Sequence, residues 1–139
     1  MDTPNPTQQE IEELVAFLPR LCDKGFSPVK KWHGGDEDQD GVSTMPYPEY
    51  DPIVKEFFRV ASSECWTDPD YLAKSAGQIL DDEDAVKVAD LDQIKAMLTF
   101  CVRGERFCTG HWSAVIENGS GRRLLERLTE FERDRAEWV

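Results

Sequence analysis

Helix-start signals recur along this chain so often that they leave little room for any fold but a mainly helical one. Thr7-Gln8-Gln9-Glu10 has the form of a capping box, in which the Thr hydroxyl accepts from a free backbone N–H and the Glu reaches back to the cap. Asp51-Pro52 and Asp68-Pro69 each set an acceptor at the N-cap and a proline in the first turn, where its missing N–H costs nothing. Asp90-Leu91-Asp92-Gln93 repeats the capping pattern, Thr109-Gly110 can open a short helix, and Ser120 caps a last one. Apolar residues follow these starts at three- and four-residue steps, which is one helix face. The stripes are Ile11, Leu14, Val15, Leu18, Leu21 and Cys22; then Ile53, Val54, Phe57, Phe58 and Ala61; then Tyr71, Leu72, Ala76, Ile79 and Leu80. Leu91, Ile94, Met97, Leu98, Cys101 and Val102 form the clearest of them, and Leu124, Leu125, Leu128 and Phe131 the last.

Breaks are equally legible. Pro19 removes a helical hydrogen bond and predicts a kink or an early end. Gly25, Gly104 and Asn118-Gly119 read as helix stops. Residues 26–50 have no helical period. Phe26 to Trp32 and Val42 to Tyr47 are expected to be short strands, held at an edge by Pro28 and Pro46. The expectation is therefore an α+β, mainly α fold: a single compact domain of about six helices with at most one short β-hairpin within residues 26–47. Residues 1–6 are expected to be a disordered leader and residues 7–139 one globular domain. At this length, folding buries roughly two-thirds of the unfolded chain's surface, enough for one core without metal or disulfide.

Charge narrows the partners. The formal net charge is −12, and residues 1–102 carry all of it, with 9 Lys/Arg against 21 Asp/Glu. That surface repels nucleic acid and anionic membrane, so neither is an expected partner. No apolar run is long enough to span a bilayer. The polar, Pro-rich start lacks the basic and apolar regions of a signal peptide, and a cytoplasmic location is expected. Cys22, Cys65, Cys101 and Cys108 are scattered without a CxxC pair and read as reduced thiols.

Three stretches could carry chemistry. Asp36-x-Asp38-x-Asp40-Gly41 is the front half of a Ca²⁺ loop, but Ser43 and Tyr47 stand where an apolar residue and a Glu are needed. A solvated acidic turn is the expected reading. Cys108-x-x-His111 has the spacing of half a zinc site, with only Cys65 and His33 as further ligands, and no metal or other cofactor is expected. The third stretch runs from Arg103 to Trp112. Arg103, Glu105, Arg106 and His111 sit just before a helix start, where guanidinium groups and free N–H groups suit a phosphate or carboxylate. The alternative makes Glu105 a tie between an Arg and the backbone, fixing the turn between two packed helices. No nucleophile turn accompanies either histidine, so catalytic residues stay unassigned.

Two segments resemble a known family. They are Met45-Pro46-Tyr47-Pro48-Glu49-Tyr50, leading into Ile53-Val54-Lys55-Glu56-Phe57, and Leu98 through Gly110, continuing to Leu128 and including the specific string Arg103-Gly104-Glu105-Arg106-Phe107-Cys108-Thr109-Gly110. Together they resemble a bacterial domain of unknown function, DUF6508, over about Ile11 to Leu128. The resemblance implies a family and no activity. Three functions fit the residues: a non-catalytic binding or interaction module; a small enzyme or phosphate- or nucleotide-type ligand binder using the Arg103-Glu105-Arg106 turn; and, against the charge, a helix-turn-helix-like DNA binder in residues 91–135. A cleft holding both Arg side chains favours the second, and a flat surface there favours the first.

Overall fold

The computed structural model describes residues 5–35 and 45–137. The chain order is α1 (Gln8–Val15), α2 (Leu18–Leu21), β1 (Val29–His33), β2 (Tyr47–Tyr50), α3 (Pro52–Ala61), a 3-10 turn (Glu64–Trp66), α4 (Ala76–Leu80), α5 (Glu83–Lys87), α6 (Leu91–Gly104), α7 (His111–Glu117) and α8 (Ser120–Glu137). The mainly helical α+β expectation is met, with a single two-stranded antiparallel sheet among the described residues.

The capping signals act as read. Thr7 and Glu10 form a reciprocal capping box on α1, and Asp90 and Gln93 form another on α6. The Asp51 carboxylate accepts from the Ile53 N–H, with Pro52 in the first turn of α3. Pro19 does more than kink the first helix. The helix stops at Val15, and Pro19 takes a first-turn position in the separate α2, where it needs no N–H.

Two expectations are corrected. The second strand is Tyr47–Tyr50, so of the expected Val42 to Tyr47 only Tyr47 is strand among the described residues, which exclude 42–44. It pairs His33 with Tyr47 and Val29 with Tyr50 across an irregularity between Val29 and Lys31. Pro48 is tolerated because the two-stranded sheet is all edge. Asp68-Pro69 opens a series of turns and not a helix, and α4 begins only at Ala76, after Ser75 in the left-handed region at φ 56°. Tertiary bonds explain the difference. The Asp68 N–H donates to Thr99 Oγ1 at 2.9 Å, and its carboxylate is held by Lys74 at 2.5 Å, so the segment is tied to α6 before it can coil.

α6 is the central element. It packs on α3, α4, α7 and the 3-10 turn, while α8 closes the other side against α1, α2, α5 and α7. Ile94, Ala96, Met97, Leu98 and Cys101 of α6 meet Ile11, Leu14, Val54, Phe57, Phe58, Trp66, Leu124, Leu125 and Leu128 in one core. Each fully buried Leu, Ile or Phe in it contributes about 1.5–3 kcal/mol relative to exposure. The cation loop at Asp36, Asp38 and Asp40 lies outside the described residues, as do residues 1–4 of the expected leader; Pro6 is buried.

Candidate functional site

The turn from α6 to α7 is built around Glu105. Its carboxylate accepts three hydrogen bonds: Oε1 from the Tyr50 hydroxyl at 2.7 Å and the Trp112 N–H at 2.9 Å, and Oε2 from the Gly110 N–H at 3.0 Å. Two of these donors are backbone N–H groups at the start of α7, which have no intrahelical acceptor. The third ties the end of β2 to the same turn. Gly110 adopts φ 90°, a left-handed conformation that glycine enters without a Cβ penalty.

Aromatic packing surrounds this tie. Trp112 stacks on Phe58 with ring centroids 4.5 Å apart and lies 5.4 Å from Tyr50, and its indole N–H donates to the Val102 carbonyl at 3.1 Å. Burial, and then the neighbouring Glu105 carboxylate, push the Tyr50 hydroxyl well above its ordinary pKa, so Tyr50 stays the donor. The expectation that Glu105 ties the turn to the backbone is therefore met in part. Its side-chain partner is Tyr50, and no Arg pairs with it among the described residues.

His111 belongs to the packed side of the turn. Its ring meets Phe100 edge-on at 5.6 Å and lies directly over Gly104, where a Cβ would fall 2.2 Å from the imidazole Cδ2. Close approach therefore requires Gly104, whose φ is not left-handed. Burial holds the His111 pKa below its ordinary value against the opposing pull of Glu105, so the ring is neutral at neutral pH. Its Nε2 is buried without a hydrogen-bond partner among the described residues.

Arg103 and Arg106 face elsewhere. Both line a cleft of about 240 Å³ whose other walls are Ala61 and Ser62 at the end of α3, Thr67 beyond the 3-10 turn, and Thr99 and Val102 of α6. The Arg106 N–H donates to the Arg103 carbonyl at 3.1 Å, so the two side chains spring from one tight turn. The Arg103 guanidinium sits 5.2 Å from the centroid of the Tyr71 ring, an aromatic support for its charge. Neither guanidinium has a carboxylate partner among the described residues, whereas Arg59, Arg122, Arg123 and Arg127 each have one. The hydroxyl of Thr99 accepts from the Asp68 N–H, and its one proton is directed to the Lys95 carbonyl at 2.8 Å, with the Trp66 carbonyl also near at 3.2 Å.

Of the four residues predicted from sequence, the cleft thus brings Arg103 and Arg106 together, while Glu105 and His111 lie outside its walls. Sequence reasoning missed the Thr67, Thr99 and Ser62 walls and the Tyr50–Glu105 bond. Thr99 stands one helical turn before Arg103 on α6 and was within reach of local spacing, whereas Ser62, Thr67 and Tyr50 are more than 30 residues from their partners, beyond any local signal. A second hollow of about 330 Å³, bounded by Leu21, Phe26, Ile116 and Arg122, also contains Asp23 and Glu117, and its Arg122 is already paired with Glu126. Among the described residues no three His, Cys, Asp or Glu side chains group as metal ligands; Cys108 is exposed and Cys65 is buried.

These features define a small, mainly helical domain with one internally satisfied acidic turn and one cationic cleft. Residues 6–134 match the family of unknown function DUF6508, and the chain belongs to that family. No curated protein and no solved structure matches it.

Proposed function

We propose that this chain is a non-catalytic binding module for a small anionic ligand, held in the cleft by Arg103 and Arg106. One observation carries the reading: two arginine residues without a carboxylate partner among the described residues line a single concave site in a chain of net charge −12. The C-terminal ends of α3 and α6 border the cleft. Each such terminus disfavours an anion by about 0.3–1 kcal/mol. A hydrogen bond from a charged group contributes about 1.5–3 kcal/mol, so two guanidinium forks outweigh the two termini.

A binding role is favoured over catalysis by what surrounds the cleft. Neither histidine lines it, nor does Glu105, whose carboxylate already accepts from three donors. A DNA-binding role finds less support still, because the chain's net charge of −12 repels the phosphate backbone. No helix among the described residues is long and apolar enough to cross a membrane. The free thiols at all four cysteines fit a reducing, cytoplasmic compartment.

Isothermal titration with inorganic phosphate tests the reading. The wild-type chain is expected to bind one phosphate, and an Arg103→Ala/Arg106→Ala double variant to bind at least ten-fold more weakly. Equal binding by the two proteins, or no binding of phosphate, sulfate or acetate by either, would contradict it.

A further inference from the structure

The cleft's donor geometry and size narrow the ligand further. Each guanidinium presents a planar fork of N–H donors that takes two oxygens at once. Arg103 and Arg106 offer two such forks from one turn. A carboxylate has only two oxygens and satisfies one fork, leaving the other bare. A phosphoryl group has three terminal oxygens in a tetrahedral array, so both forks can share it. The hydroxyls in the walls do not alter this preference. The single hydroxyl proton of Thr99 is taken by the Lys95 carbonyl, that of Thr67 by the Ser63 carbonyl, and that of Ser62 by the Arg59 carbonyl.

Volume sets the other limit. About 240 Å³ lies below the ~300–1,000 Å³ of sites that enclose drug-sized ligands. The space admits a phosphoryl group with a short polyol or sugar and is too small to enclose a dinucleotide. Ala61 and Val102 supply an apolar wall for the carbon skeleton.

Resting on the anion-binding reading above, we infer that the ligand is a small phosphate monoester of sugar-phosphate size, bound through its dianionic phosphoryl group by Arg103 and Arg106. The second phosphate proton leaves near pH 6, so the dianion dominates at neutral pH. Binding should therefore strengthen as pH rises from 5 to 7. Over that range guanidinium groups do not titrate, and His111 lies outside the cleft.

The test is a calorimetric comparison of ribose 5-phosphate with ribonate, a carboxylate of similar carbon skeleton, at pH 5.5 and 7.5. Ribose 5-phosphate is expected to bind at least ten-fold more tightly than ribonate at pH 7.5, and to lose several-fold in affinity at pH 5.5. Arg106→Lys, which keeps the charge and removes the fork, should weaken ribose 5-phosphate at least five-fold while leaving ribonate within two-fold. Ribonate binding as tightly as ribose 5-phosphate, with both lost in Arg103→Ala/Arg106→Ala, would overturn the phosphate-ester assignment and leave the anion site standing. Binding of neither compound, or binding untouched by the double variant, would overturn both. A dinucleotide such as NAD binding more tightly than ribose 5-phosphate would refute the size limit.

Discussion

Glu105 and its two flanking arginines share one turn and have opposite fates. The Glu105 carboxylate turns towards Tyr50, Gly110 and Trp112 and accepts from all three. Arg103 and Arg106 line a neighbouring cleft, and no carboxylate among the described residues pairs with them. Charged groups of both kinds appear in the same short string, and sequence spacing cannot divide them. Satisfaction of their polar atoms does. A half-buried carboxylate that accepts three hydrogen bonds holds elements together, whereas two arginines without a carboxylate partner beside a cleft are what the proposed binding role uses. Folding stability and ligand binding are therefore expected to separate cleanly between neighbouring residues.

The largest expected effect is on the structural side. Glu105→Ala removes an acceptor from three donors, two of them backbone N–H groups, and leaves the Tyr50 hydroxyl without its partner. Hydrogen bonds to a charged group contribute about 1.5–3 kcal/mol each, and partial exposure reduces the sum, so a loss of about 2–4 kcal/mol is expected in urea denaturation. Tyr50→Phe removes one of the three and should cost about 1–2 kcal/mol. It should also change the alkaline limb. Tyr50 in the folded protein keeps its proton above its ordinary value, so the unfolded chain releases protons first and wild-type stability falls as pH rises through about 10. The variant should show a shallower fall in melting temperature between pH 9 and 11.

A smaller effect is expected from His111. Its folded pKa lies below the ordinary value, so on acidification the unfolded chain binds the proton first. Stability is then full above about pH 6.5 and declines as pH falls below it. His111→Gln should flatten that decline between pH 6.5 and 5, measured as the slope of unfolding free energy against pH. An unchanged slope would contradict the account of His111 as a buried neutral ring.

Much of the fold was legible in the sequence because its signals are local. Capping boxes at Thr7 and Asp90, and the Asp51-Pro52 start, satisfy N–H groups within three residues, and no distant partner competes. Asp68-Pro69 carries the same dipeptide as Asp51-Pro52 and behaves differently, since Thr99 and Lys74 claim the groups of Asp68. The site divides along the same line. The importance of the Arg103–Arg106 string could be read from its composition, and Glu105 as a tie from its place between two amphipathic helices. Its true partner, Tyr50, stands 55 residues away and comes into reach only when the hairpin docks on the turn. Gly104 shows a subtler limit. Its place in the sequence marks a helix stop, and α6 does end there, while the use of its missing Cβ to admit the His111 ring could not be read.

The division of labour within this turn is tested most directly by thermal unfolding of two variants side by side in phosphate-free buffer. Glu105→Ala is expected to melt well below wild type, by roughly 4–15 °C at the stability loss given above. Arg103→Ala/Arg106→Ala removes exposed or half-buried charges and one cation–π contact. A loss of about 1 kcal/mol or less is expected, with a melting temperature within a few degrees of wild type. A double variant that melts as low as Glu105→Ala, or a Glu105→Ala protein that melts with wild type, would contradict the assignment of Glu105 to the scaffold and of the two arginines to a ligand.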